Sequence, residues 1–192
     1  ASELAAAELA VALARKGEVQ AIMKGHLHTD VLLRPMLDRA TGLRIGRRFT
    51  HVFVLDVPGL GHPLLVSDGA INIAPDLMTK VDIVQNAIDL AHSLGITQPK
   101  VSILSAVETF TPDMPSSIDA AALSKMAERG QITGGLVDGP LAMDNAVNMA
   151  AARTKGIAGA VAGQAEVLVV PNIDAGNILV KLLTHLAHAE AA

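Results

Sequence analysis

Helical and extended hydrophobic periods alternate along nearly the whole chain, and this pattern constrains the fold more than any other feature of the sequence. Short extended runs at residues 135–138 and 167–170 each lead into a polar, glycine-containing loop and then into a segment with helical periodicity. Strands that alternate with helices are typical of a mainly parallel sheet covered by helices. The sequence therefore predicts an α/β fold whose loops gather at the carboxyl edge of the sheet, where such proteins bind ligands.

One part of the sheet is expected to be antiparallel. Residues 52–55 and 64–66 are apolar runs joined by a short segment rich in proline and glycine. Such a segment favours a reversal of the chain between two neighbouring strands. A wholly parallel sheet is therefore not expected.

Capping residues and helix breakers mark several of the other elements. Ser2 and Asp76 are expected to cap helices that end at Gly17 and Gly95. The remaining predictions are a strand at 20–24, a helical turn capped by Thr29 or Asp30 that Pro35 kinks or restarts, strands at 101–104, 135–138 and 167–170, a loop at 171–176, and helices at 119–129, 141–155 and from the end of the 171–176 loop to about 188.

The composition limits how the core is built. The chain has 192 residues, of which 51% are hydrophobic, but it lacks Cys, Trp and Tyr and has only three Phe. It is long enough for one sizeable α/β core or two small lobes, made of aliphatic side chains and without a disulfide. A reducing cytoplasm is the natural setting for such a chain.

Charge and hydropathy argue against two classes of partner. The formal net charge is −4, and no basic strip with interleaved aromatic residues occurs, so nucleic acid is not expected as a partner. The apolar run at 156–170 is interrupted by Gln164 and Glu166 and is shorter than the roughly 20 residues that span a bilayer. No membrane helix is expected.

The segment from Lys24 to Pro35 has the strongest concentration of reactive side chains. It follows a predicted strand and contains two His, two cations, a hydroxyl and a carboxylate beside a predicted helix start. A helix N-terminus with nearby cations can hold a phosphate, but a capped loop with solvated charges fits equally well. His26 and His28 are only two positions apart and have no identifiable third ligand, so no metal site is predicted.

Two further clusters follow predicted strands. In the first, Asp138, Asp144 and Asn145 surround Gly139; in the second, Asn172, Asp174 and Asn177 surround Gly176. Both clusters suit the orientation of a polar ligand, and both also suit ordinary turn and capping chemistry. The same alternatives apply to residues 105–109, where Glu108 could simply face solvent.

Several familiar catalytic motifs are absent from the sequence. There is no phosphate-binding loop of the type G-x-x-x-x-G-K-[ST], no G-x-G-x-x-G after a strand and no G-x-S-x-G elbow. Because the chain also lacks Cys, a covalent acyl-enzyme has no obvious carrier.

Taken in order, four segments resemble the phosphate acetyl/butyryltransferase family. They are KGHLHTDVLLRP (24–35), LSAVE (104–108), DGPLAMDNAV (138–147) and AGQAEVLVVPNIDAGNILVK (162–181). DGAINIAPDL (68–77) is also similar, particularly to butyryl-type members. The resemblance implies two α/β lobes around a cleft, as in isocitrate and isopropylmalate dehydrogenases, and a homodimer. Residues 45–180 would form the second lobe, whereas 1–44 and 181–192 would be parts of the first.

The resemblance also implies a reaction, in which acyl-CoA and phosphate are converted reversibly to acyl phosphate and CoA. CoA and phosphate are then substrates, and no tightly bound cofactor is expected. Arg34 is the first choice for contacting a phosphate or CoA anion, because a guanidinium donates two parallel hydrogen bonds. The expected substrate-binding residues are Lys24, His28, Thr29, Arg34, Asp144, Asn145 and Asn177.

One departure from the family pattern concerns catalysis. The Ser-Arg pair and the Asp that assist the reaction in the family lie beyond the helix that ends near Glu190, so this chain alone is expected to be weakly active or inactive. A non-catalytic CoA- or phosphate-binding and dimerisation module is the alternative. A metal- and NAD-dependent dehydrogenase would need an Asp cluster and a cofactor loop that the sequence does not contain.

Overall fold

The computed structural model describes residues 2–192, and the chain divides into two compact units, one that ends at Arg47 and one that comprises Arg48–Ala192. The first unit contains α1 (Glu3–Arg15) and α2 (Thr29–Met36). The second contains β1 (Val52–Asp56), β2 (Leu64–Ser67), α3 (Leu77–Ser93), β3 (Lys100–Leu104), α4 (Pro115–Glu128), β4 (Leu136–Leu141), α5 (Met143–Val147), α6 (Met149–Thr154), β5 (Val167–Val169), α7 (Ile173–His185) and β6 (Glu190–Ala191).

The first unit is a pair of packed helices followed by loops. Ser2 caps α1 as predicted, because its side chain accepts a hydrogen bond of 3.2 Å from the backbone N–H of Ala5. Ala7 and Val11 are buried on one face of α1. Residues 20–24 form no strand, so that prediction is wrong: they have no neighbouring strand to pair with inside this unit.

The N-cap of the second helix lies one or two residues before the predicted cap. His28 is the N-cap residue of α2, and its side chain makes no capping hydrogen bond. Pro35 lies inside the last turn of α2, which continues to Met36. The expectation that Thr29 or Asp30 caps this helix is therefore wrong by one or two positions.

The second unit is built on one sheet with the strand order β4-β3-β5-β2-β1-β6. The pairings β4–β3, β3–β5 and β5–β2 are parallel, whereas β1 is antiparallel to both β2 and β6. The prediction of a mainly parallel sheet with an antiparallel element is thus confirmed.

Helices cover both faces of this sheet. Val167 and Val169 of β5 pack with α3 and α4 on one face, and Leu168 packs with α5, α6 and α7 on the other. All three residues of β5 are buried, as expected for a central strand that is covered on both sides.

Three element boundaries differ from the prediction because of local capping. The α4 helix starts at Pro115, which needs no N–H partner in a first turn, and not near 119. The predicted helix 141–155 is two helices, because Asn148 has an extended backbone and its side chain caps α6 through the N–H groups of Ala150 and Ala151. Similarly, Asn172 starts α7 earlier than expected by accepting from the N–H of Ala175 at 3.0 Å.

The end of the chain also differs. After α7, Glu190 and Ala191 form β6 beside β1, a strand that the sequence pattern did not predict. Residues 181–192 therefore group with Arg48–Ala192 within this chain. The prediction that residues 181–192 form part of a first lobe refers to a complete two-lobed protein, and it stays a prediction. No helix among residues 2–192 is long and apolar enough to cross a membrane.

A buried ion pair links the starts of α3 and α4. The ammonium of Lys80 lies 2.5 Å from a carboxylate oxygen of Asp119, with side chains only 7% and 24% exposed. Removing one member of such a pair leaves an uncompensated charge in a poorly hydrated position.

We expect Asp119→Ala to lower the free energy of unfolding by about 3 kcal/mol, because Lys80 loses its counter-charge. Urea unfolding followed by far-ultraviolet circular dichroism measures this, since the chain has no Trp or Tyr. Glu128→Gln, which removes the exposed ion pair with Lys125, is the matched control and should cost less than about 1 kcal/mol. Equal effects of the two variants would contradict a stabilising role for the buried pair.

Candidate functional site

Polar side chains gather where the four parallel strands end. β2, β3, β4 and β5 run in the same direction, so their carboxyl ends lie at one edge of the sheet. The residues that follow these strands include Asp68, Glu108, Asp144, Asn145 and Asn177. This edge is where open α/β sheets bind ligands, and it is the candidate site.

Three of these side chains form one cluster with Lys155, and we call it the Glu108 cluster: Glu108, Asp144, Asn145 and Lys155. The ammonium of Lys155 lies 3.1 Å from Oε2 of Glu108 and 3.5 Å from Oδ2 of Asp144. Nδ2 of Asn145 donates to the same Glu108 oxygen at 3.4 Å. The cluster joins the loop after β3 to α5 and to the end of α6.

The charges within the Glu108 cluster support each other. The hydrogen bond from Lys155 lowers the pKa of the Glu108 carboxyl below its usual range. The same bond raises the pKa of the Lys155 ammonium, with a further contribution from Asp144. Two carboxylates and one ammonium leave a net charge of about −1, so this cluster suits hydrogen-bond donors better than a bare phosphate.

Asn145 is the buried member of the cluster. Its side chain is fully buried, and its backbone carbonyl accepts from the N–H of Gly163 at 2.8 Å. A carboxylate can only accept hydrogen bonds, so Glu108 requires the NH₂ group of the Asn145 amide to face it. The amide oxygen then points away, and it has no hydrogen-bond partner among residues 2–192.

Hydroxyl groups fasten the loop between β3 and α4. Ser105 and Ser116 are hydrogen-bonded through their side chains at 2.9 Å. The hydroxyl of Ser117 accepts from the N–H of Thr111 at 3.0 Å and is itself buried. With Glu108 tied to Lys155, this loop is held at both ends and in the middle.

A second group of contacts surrounds the end of β2. The buried carboxylate of Asp68 accepts from the backbone N–H groups of Ala70 and Ile71 and from the side chain of Asn72. The rings of His51 and Phe53 are in contact, with centroids 4.3 Å apart and planes tilted by 57°. Burial lowers the pKa of the His51 ring below its usual range, although the nearby Asp68 carboxylate opposes this effect.

The loop after β2 and the first turn of α7 are in contact through two glycines. A Cβ atom on Gly176 would lie only 2.8 Å from the Cα of Gly69, so neither position has room for a side chain without a shift. Asn177 donates from its amide to the carbonyl of Gly69 at 3.3 Å. The predicted ligand Asn177 therefore also connects α7 to the loop after β2.

The other predicted site residues lie in the unit that ends at Arg47. Lys24, His28, Thr29 and Arg34 are all exposed. The ammonium of Lys24 donates to the carbonyl of Leu27 at 2.8 Å and thereby closes its own loop. Their roles as ligands stay predictions. Among residues 2–192, no three His, Asp or Glu side chains group closely enough to hold a metal ion.

Sequence reasoning does not identify two members of the Glu108 cluster as site residues. It leaves Glu108 open between a site residue and a solvent-facing one, and it does not single out Lys155. Lys155 is 47 residues from Glu108 in sequence, and the two meet only because β3 and β4 are adjacent. The signal within the sequence was limited to the LSAVE segment, which places a carboxylate four residues after a buried strand.

An open, mostly parallel sheet with helices on both faces and polar loops at its carboxyl edge defines a class of α/β ligand-binding proteins. The sequence model of the family described as phosphate acetyl/butaryl transferase matches residues 3–192, so the chain belongs to that family and the resemblance is confirmed.

Relatives of known name agree with this assignment. The phosphate acetyltransferase of Rhizobium meliloti is 60% identical over 188 residues, which are 98% of this chain and 60% of that protein. The probable phosphate butyryltransferase of Bacillus subtilis (strain 168) is 47% identical over 97% of this chain and 62% of that protein. The crystal structure of a branched-chain phosphotransacylase from Enterococcus faecalis V583 superposes with a TM-score of 0.89 at 38% identity, covering 100% of this chain and 68% of that one. The chain therefore spans about 60% of the length of these two curated relatives.

The Glu108–Lys155 pair predicts a specific dependence of stability on pH. The pKa of Glu108 is lowered from 4.5, so its stabilising effect is present above that pH and is lost as the pH falls through the lowered value. The pKa of Lys155 is raised from 10.5, so its contribution persists below that pH and is lost only as the pH rises through the raised value.

We expect the difference in unfolding free energy between wild type and Lys155→Met to stay constant from about pH 5 to 10 and to shrink in more acidic solution. Denaturation midpoints measured from pH 3 to 10 test this. Lys16→Met, which removes an exposed pair with Glu18 at 3.7 Å, is the control and should show little dependence. A difference that is the same at pH 3 and pH 7 would contradict the pairing.

Proposed function

We propose that the protein containing this chain transfers an acyl group between CoA and phosphate. The observation that carries the proposal is the match to the phosphate acetyl/butaryl transferase family over residues 3–192. It is supported by relatives named phosphate acetyltransferase and phosphate butyryltransferase that are 44–60% identical over nearly the whole chain. The proposed protein acts as a homodimer in the cytoplasm, where CoA is available, and has no tightly bound cofactor.

The chemistry of the described side chains fits two anionic substrates. The exposed cations Lys24 and Arg34, together with His28 and Thr29, supply donors for phosphate oxygens. Asp144, Asn145 and Asn177 lie at the carboxyl edge of the sheet and supply acceptors and amides for polar groups of CoA.

Direct attack needs no covalent intermediate on the protein. In the proposed reaction the CoA thiolate attacks the carbonyl carbon of the acyl phosphate, the C–O bond to phosphate breaks, and phosphate leaves. The rate then depends on the alignment of the two substrates and on stabilisation of the negative charge. This agrees with a chain that has no Cys and no nucleophile elbow.

The test is CoA release by the full-length protein that contains this sequence. Acetyl-, propionyl- and butyryl-CoA are each incubated with phosphate, and the free thiol is titrated with a chromogenic disulfide. We expect phosphate-dependent release with at least one of these substrates and formation of the matching acyl phosphate. CoA binding without any turnover would replace the proposal with a non-catalytic CoA-binding module.

A single substitution tests the proposed anion contact. Arg34→Ala should raise the Michaelis constant for phosphate or CoA by an amount equivalent to about 1.5–3 kcal/mol, because one charged hydrogen bond is lost. Arg39→Ala removes the same charge five residues away, outside the Lys24–Pro35 segment, and serves as the control. Unchanged kinetics in a folded Arg34→Ala variant would remove Arg34 from the site.

A further inference from the structure

We propose that Glu108 and Lys155 are positioning residues for acyl transfer, which hold the β3–α4 loop and the Asn145 amide in a fixed arrangement beside Asp144. This inference rests on the proposed function and extends it to residues that touch neither reacting atom. It concerns the part of the Glu108 cluster that sequence motifs did not identify.

The negative charges around Lys155 indicate that it holds Glu108 in place and does not bind a substrate anion. Its ammonium lies within 3.5 Å of two carboxylates, those of Glu108 and Asp144. A phosphate that approached it would meet a net negative environment. The side chain is also only 34% exposed, which leaves little of it free for a ligand.

Connectivity argues for a positioning role. Ser105 and Thr111 are fastened to α4, the helix that follows their own loop. Glu108 instead contacts residues that follow β4, namely Asn145 on α5 and Lys155 at the end of α6. The two hydrogen bonds that Glu108 accepts, from Lys155 and from Asn145, therefore couple the loop after β3 to the helices after β4. No other side-chain hydrogen bond found in residues 2–192 joins the β3–α4 loop to α5 or α6.

The Glu108–Lys155 pair fixes the orientation of the Asn145 amide. Because Glu108 accepts from Nδ2, the amide oxygen is fixed on the opposite side, where it is buried without a partner in the described part of the chain. A buried acceptor without a donor is unfavourable unless another group satisfies it. Loss of the negative charge of Glu108 would release this constraint and allow the amide to turn.

The experiment compares Lys155→Met and Glu108→Gln in the full-length protein with wild type. Glu108→Gln keeps the shape of the side chain and removes only its charge. We expect kcat of each variant to fall about 10- to 100-fold, because a small displacement of the aligned reacting groups slows the chemical step. The Michaelis constants for phosphate and acyl-CoA should change less than about threefold. The double variant should be no slower than the slower single variant, because both changes break one interaction.

Two controls separate positioning from loss of fold. Lys125→Met breaks an exposed ion pair on α4 and should keep wild-type kcat. Lys155→Arg keeps the positive charge and should recover most of kcat. Circular dichroism melting establishes that each variant is folded at the assay temperature.

Each outcome decides between the proposals. Wild-type kcat in folded Lys155→Met and Glu108→Gln overturns the positioning role and leaves the proposed function intact. A rise in the Michaelis constant for phosphate alone overturns it too, since Lys155 would then be an anion ligand. A wild-type protein that releases no CoA overturns both the proposed function and this inference.

Discussion

The parallel pairing of β5 with both β2 and β3 is the interaction on which the rest of the second unit depends. It places a fully buried strand near the centre of the sheet and gives three strands the same direction, and the parallel pairing of β4 with β3 adds a fourth. Because parallel strands end at the same edge, the segments that follow them and carry Asp68, Glu108, Asp144 and Asn177 are brought to one side. A change of direction in any of these strands would disperse those residues.

Small side chains allow these loops to come close together. The core is built from Ala, Val, Leu and Ile, with no Trp or Tyr in the chain, so helices pack tightly on both faces of the sheet. At the carboxyl edge, the absence of side chains at Gly69 and Gly176 lets the loop after β2 approach the first turn of α7. The close backbone contact there lets Asn177 reach the carbonyl of Gly69.

The polar chemistry of the chain is of two kinds. The unit that ends at Arg47 carries exposed cations in the Lys24–Pro35 segment, whereas the carboxyl edge of the sheet is dominated by carboxylates and amides. An acyl transfer between CoA and phosphate requires donors for phosphate oxygens and an ordered surface that aligns the second substrate. The Glu108 cluster is ordered in this sense, because each charge in it has an opposite partner within 3.5 Å.

The sequence by itself determined the features that depend on nearby residues. The α1 and α3 helices with their Ser2 and Asp76 caps, and the mainly parallel sheet, follow from periodicity and capping within a few positions. The break at Asn148 also has a local cause, because the Asn148 side chain caps α6, but hydrophobic periodicity does not reveal it. Only the tertiary structure decided the strand β6 and the meeting of Glu108 with Lys155, because both arise from contacts between residues far apart in the chain.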